Sequence, residues 1–152
     1  MAGDGSPPGW DAALERLRAA MTTLVTGDPS AIKALYSHED DVTAFFGWGG
    51  YERGWGAVSR RWDWAARQFQ GGGPVTYEDL TTVAAPGLVV TTHVERIRAR
   101  VAGADAPIEW ANRVTHVFRL EAGEWRLVHR HANRLEPRHE PGSRAGRAAR
   151  SG

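Results

Sequence analysis

The sequence has no cysteine, a single lysine (Lys33) and only two methionines in 152 residues. Without cysteine there is neither a disulfide framework nor a thiolate metal site. An excess of charge of one sign is also missing. Nineteen basic residues, nearly all arginine, face eighteen acidic ones, for a net charge of +1. That balance gives no reason to expect a nucleic acid or another acidic partner. No apolar run approaches the ~18 residues that a membrane span needs, and the N-terminus lacks the basic start and apolar stretch of a secretory leader. The expectation is a cytoplasmic protein that touches neither membrane nor nucleic acid and carries no cofactor.

What the chain does have is apolar and aromatic material: 41% hydrophobic residues, with seven Trp, four Phe and three Tyr. That is the composition of a folded globule, and its length is that of one ordinary domain. Residues 1–9 are small and rich in Gly and Pro, and read as a flexible N-terminus. Residues 136–152 scatter Arg138, Arg144, Arg147 and Arg150 among Gly, Ala, Ser and Pro, and read as a basic disordered tail. The folded domain is expected over 10–135.

Within it, Trp10, Leu14, Leu17, Met21 and Leu24 fall at helical spacing, predicting a helix over 10–26. Asp28-Pro29 opens a short second helix over 29–36. Val42–Phe46 reads as a short strand, Gly47–Gly54 as an irregular glycine-rich loop, and 55–69 as a third helix with Trp55, Val58, Trp62, Ala65, Ala66 and Phe69 on its buried stripe. Trp64 falls off that stripe. Four strand-like segments follow, over 75–83, 88–101 and the two arms of a hairpin spanning Ile108–Asn133. Helices bunched before an antiparallel meander predict an α+β fold, with the three helices of the N-terminal half packed on one face of a strongly curved, mostly antiparallel sheet.

The hairpin loop decides which histidines face the helices. A two-residue loop (Ala122-Gly123) puts His116 on the face of His129 and His131. A three-residue loop with Gly123 as a left-handed bulge separates them, and Gly in third place favours it, since a primed two-residue turn wants Asn-Gly or Asp-Gly. The inward face then carries Trp110, Asn112, Val114, His116, Phe118, Val128, Arg130 and Ala132. The outward face carries Arg113, Thr115, Val117, Trp125, Leu127, His129 and His131.

The element order, together with Thr26-Gly-Asp28, Asp41-Val-Thr43, Arg113-Val-Thr-His-Val-Phe-Arg119 and Gly123-Glu-Trp-Arg-Leu-Val-His-Arg-His-Ala132, resembles the SnoaL-like branch of the nuclear transport factor two-like superfamily. The resemblance covers roughly residues 10–135. It implies a cystatin-like, cone-shaped α+β fold with a ligand pocket between sheet and helices, and homodimers joined through the outer face of the sheet. Members include cyclases, isomerases, dehydratases and non-enzymatic assembly domains, so the fold settles no chemistry. The ketosteroid isomerase machinery finds no match. Phe45 stands about where the general-base aspartate of those enzymes belongs, and Ala20 where their oxyanion tyrosine does. Of the cone arginines in calcium/calmodulin-dependent kinase association domains, two positions fall here on His93 and His116 and a third on Ala132.

The candidate site residues follow from these faces. His93 and His116 are the acid–base candidates, because an imidazole titrating near neutrality both accepts and releases a proton. Arg130, Asn112 and Glu95 are candidate ligand contacts, Arg130 as partner of a carboxylate or carbonyl oxygen. Trp48, Tyr51, Trp55 and Trp62 are candidates for a mouth that stacks on a planar molecule, although Trp55 and Trp62 fit better as core on the helix stripe. The same residues also read as a hydrogen-bonded core network, with Arg130 paired to Glu95. His129 and His131, two apart on one strand, have a metal-compatible spacing but no clear third ligand. They fit better beside Trp125 in a dimer interface. Three functions remain open: a small-molecule-binding cone protein, an enzyme doing acid–base chemistry on a polyketide-like or cyclic carbonyl compound, and a structural dimerisation module.

Overall fold

A computed structural model describes residues 5–142; most of the tail reading, over 143–152, and residues 1–4 of the N-terminal reading lie outside the described residues. Three helices, α1 (Trp10–Leu24), α2 (Ser30–Leu35) and α3 (Trp55–Arg67), are joined by six strands: β1 (Thr43–Phe45), β2 (Tyr51–Arg53), β3 (Val75–Ala85), β4 (Leu88–Ala99), β5 (Ile108–Glu121) and β6 (Glu124–Arg134). The strands form one sheet in the order β2-β1-β6-β5-β4-β3. All neighbours are antiparallel except β1, which runs parallel to β6. The α+β cone expected from the sequence is the fold observed.

Local chemistry sets the element ends. Asp28 Oδ1 accepts the Ser30 amide at 2.9 Å and so starts α2. Gly71-Gly-Gly-Pro74 ends the α3 region, and here glycine is required by space. A Cβ on Gly73 would lie 1.7 Å from the Arg98 carbonyl oxygen, so the chain passes too close to β4 for any side chain. The glycine-rich loop conceals β2, which the sequence reading missed. Three residues between glycines leave no alternation to detect, and their pairing with β1 is a tertiary contact.

The apolar stripes of the helices meet the inner face of the sheet. Trp10, Leu17, Met21, Ile32, Tyr36, Val58, Trp62, Phe118 and Leu127 are all buried, each worth roughly 1.5–3 kcal/mol for the aliphatic side chains and Phe, and more for Trp. Trp10 stands edge-on to Phe118 at 5.0 Å and to Trp125 at 6.1 Å, and the Trp125 indole N–H donates to the Pro8 carbonyl at 2.9 Å.

That last contact corrects the hairpin. The loop has two residues, not three: Glu121 pairs with Glu124, and Ala122 (φ 49°) and Gly123 (φ 81°) both take the positive φ of a primed turn. The extra residue sits five positions later, where Phe118 pairs with Leu127 but Val117 pairs with His129, leaving Val128 as a bulge. His116 and Arg130 still face each other on the inner side. Trp125 and Leu127 turn inward as well, not outward beside His129 and His131 as their alternation from the expected loop implied. Burying an indole and a leucine outweighs the ~1–2 kcal/mol of a left-handed alanine and one bulged residue.

A cavity floored by an ion pair and ringed by tryptophan

The bulge leaves the β6 residues Arg130, Ala132 and Arg134 on the inner face, opposite His116, Val114 and Asn112 of β5. Glu95 of β4 pairs with Asn112 and completes the layer. Arg130 grips Glu95 with two nitrogens, Nη2 to Oε1 at 2.7 Å and Nη1 to Oε2 at 3.1 Å. Nη1 also donates to His116 Nε2 at 3.0 Å, and the Asn112 amide donates to Glu95 Oε1 at 3.4 Å. Because Arg130 can only donate, His116 accepts through Nε2 and carries its proton on Nδ1. Both members of the ion pair are buried, Glu95 fully.

Burial alone would push the Glu95 carboxyl up, but the charge and hydrogen bonds of Arg130 prevail and hold it below the usual carboxylate range. Burial likewise opposes the charge on Arg130, and Glu95 more than restores it. His93 is driven down to about 4 by burial, with Glu95 opposing the fall. His116 lies well below its ordinary value, by burial first and then by the Arg130 charge. The interior at neutral pH is therefore one cancelled ion pair and two neutral imidazoles.

Behind this pair, the His93 and His116 rings lie 5.3 Å apart, and Tyr77 stands edge-on to His93 at 4.5 Å. Both nitrogens of His93, Nδ1 of His116 and the hydroxyls of Tyr77 and Thr91 are buried without a hydrogen-bond partner in the protein.

In front of the pair opens a cavity of about 40 Å³, the space available to the centre of a water molecule. Arg130, Asn112 and Ala132 line its floor, Trp62, Phe69 and Met21 its helix side, and Trp48, Trp110 and Arg134 its mouth. Outside the mouth a groove of about 390 Å³ continues between Trp48, Trp64, Trp110, Ile108, Gln68 and Arg134. Trp48 meets the Trp64 and Phe69 rings at 5.5 Å each, and Phe69 stacks on Trp110 at 6.2 Å.

The structure thus brings four of the candidates, Asn112, Arg130, Trp48 and Trp62, around one opening. Glu95 lies beneath the floor, holding Arg130. His93 and His116 lie behind the ion pair and do not line the cavity. Tyr51 pairs with Phe45 and is 69% exposed; with Phe45, His129 and His131 it belongs to an aromatic patch on the outer face. His129 Nδ1 lies 2.7 Å from the Thr43 hydroxyl there.

Sequence reasoning missed Trp64 and Arg134. Arg134 was legible as the next inward position after Arg130 and Ala132. Trp64 was not, because only the neighbouring Trp48 loop makes its side of α3 part of a groove.

A family model described as a SnoaL-like domain matches residues 13–133. The chain belongs to the SnoaL-like family. Solved structures agree on the fold. A protein of Xanthomonas campestris, provisionally described as a calcium/calmodulin-dependent protein kinase II association domain, superposes with a TM-score of 0.71 at 15% identity, covering 91% of this chain and 94% of that one. A Streptomyces avermitilis protein of the nuclear transport factor two-like family, provisionally described as a dehydratase, gives 0.68 at 17% identity over 86% and 99% of the two chains. An uncharacterised Caulobacter vibrioides protein with a cystatin-like fold gives 0.67 at 16% identity over 86% and 92%. No curated protein matches the chain in sequence.

Proposed function

We propose that this SnoaL-like protein binds a small organic molecule in the cavity between Trp48, Trp110 and Arg130. The observation that carries the reading is convergence: Asn112 and Arg130 reach the floor of an opening whose walls are otherwise apolar and aromatic. The cavity alone takes only the tip of a ligand, a small polar group beside the Asn112 amide. The body lies in the groove outside.

Binding is favoured over acid–base catalysis by the state of the histidines. His93, driven down to about 4, and His116, held well below its ordinary value by burial, are neutral at neutral pH and weak as proton acceptors, and both imidazoles sit behind Arg130. A cyclase, isomerase or dehydratase activity would need a different group at the reacting atom or an Arg130 that swings aside.

A homodimer belongs to the same reading, through the outer face of the sheet. Phe45 and Tyr51 are exposed there beside His129 and His131, an aromatic patch that association would cover. No helix among the described residues is long and apolar enough to cross a membrane, and a cysteine-free chain suits the reducing cytoplasm that we propose as its location.

Native mass spectrometry of untreated protein, followed by a thermal-shift screen of small carbonyl and aromatic compounds, tests the proposal. The expected result is a retained mass or a stabilising compound, lost in Asn112→Ala and Trp110→Ala variants that still fold. An empty protein that no compound stabilises would overturn it and leave the dimerisation module.

A further inference from the structure

The charges of this site are divided by depth. Inside, Glu95 cancels Arg130, and three guanidinium N–H groups are already spent on Glu95 and His116. An anion entering that depth would be stripped of water and find no net charge to meet it. At the mouth the balance differs. Arg134 lies over the Trp110 ring at 5.0 Å and Arg61 over the Trp64 ring at 3.9 Å. Among the described residues, neither has a carboxylate within ion-pairing distance. Arg61 donates to the Gly49 carbonyl at 3.2 Å. Arg134 lines both the cavity and the groove, as do Trp48 and Trp110. Both guanidinium groups thus lie within cation–π distance of an indole, with their donors unclaimed by acid.

We infer that the ligand is a planar aromatic carboxylate bound with its charge outward: rings between Trp48 and Trp110, carboxylate on Arg134, neutral edge towards Asn112. This rests on the proposed cavity and adds the sign and placement of charge. A groove of about 390 Å³ has room for a two-ring body. Stacking on tryptophan selects flatness, and an unpaired arginine offers a bidentate partner to a carboxylate.

Calorimetric titration of the full chain at pH 7.5 with 2-naphthoate, its neutral amide 2-naphthamide and the non-aromatic cyclohexanecarboxylate tests this. We expect 2-naphthoate to bind at least tenfold more tightly than either comparison, and to weaken as salt rises. Arg134→Gln should erase the preference for acid over amide while leaving the melting temperature near its starting value, and Arg134→Lys should keep part of it. Equal binding of acid and amide, or a preference that survives Arg134→Gln, overturns the charge-outward assignment while leaving the cavity reading in place. Failure of 2-naphthoate to bind at millimolar concentration overturns the aromatic-carboxylate assignment, whereas the cavity reading falls only with an empty protein that no compound in the thermal-shift screen stabilises.

Discussion

The two ends of the β5–β6 hairpin are built from the same alternation of residues and do opposite things. At the turn end, Phe118, Leu127 and Trp125 pack against Trp10 as dry core. At the open end, Asn112, His116 and Arg130 form a polar layer over Glu95, with the cavity above it. The Val128 bulge divides them. With a two-residue turn and no bulged residue, His116 would oppose His129, and Arg130 would leave the inner face. The bulge lets both ends turn their most demanding side chains inward, the indole of Trp125 at one and the guanidinium of Arg130 at the other. A site can therefore sit one strand-length from a close-packed core on the same ribbon.

The two ends should fail by different routes. At the open end, Arg130→Ala leaves Glu95 buried and unpaired and should cost about 3–5 kcal/mol. Replacing both, as Glu95→Leu with Arg130→Met, should recover most of it. Chemical denaturation measures both, and a single-variant loss below about 1 kcal/mol would mean that the ion pair is not held as described. At the turn end, Phe118→Ala should also cost about 3–5 kcal/mol, but with no second-site remedy of this kind and no dependence on pH between 5 and 8.

A pH titration of stability sharpens the contrast further. His93 binds a proton less readily folded, at about 4, than its ordinary value of 6.5. Between those values the unfolded chain carries more protons, so stability rises with pH and is lost as pH falls from 6.5 towards 4. The His93 share is on the order of 3 kcal/mol, and His116 adds loss in the same direction. Glu95 adds its own below its unfolded value of 4.5, as protonation breaks the pair with Arg130. Denaturation midpoints for His93→Leu should fall less steeply over that window; an unchanged slope would contradict the burial of a neutral imidazole.

The smallest effect tests the turn itself. Ala122→Asn creates the Asn-Gly pair that a primed two-residue loop prefers and should stabilise by about 0.5–1 kcal/mol. A neutral or negative change in thermal melts would favour the three-residue loop.

Much of the fold was legible because it rests on local patterns. The helical stripes of Trp10–Leu24 and Trp55–Phe69 and the alternation of Val89 to Ile97 each repeat often enough to be read without their neighbours. The inward facing of Glu95, Asn112, His116 and Arg130 was legible too, although the loop that led to it was the wrong one. A three-residue turn and a two-residue turn with a later bulge place those residues alike and differ only for Trp125 and Leu127. Trp48 lines the cavity at its mouth and Trp62, buried on the α3 stripe, lines its helix side, while Tyr51 does not reach it, because β2 pairs Tyr51 with Phe45 on the opposite face.

The sequence by itself determined the α+β order, the helix faces and the set of polar residues turned towards the helices, since period and composition are properties of neighbours along the chain. Only the tertiary structure decided where the one extra residue of the hairpin is absorbed, that Glu95 neutralises Arg130, and that Trp64 and Arg134 meet Trp48 and Trp110 at the mouth. Those outcomes depend on which side chains gain most by burial and on charges brought together from distant strands, and no spacing along the chain records either.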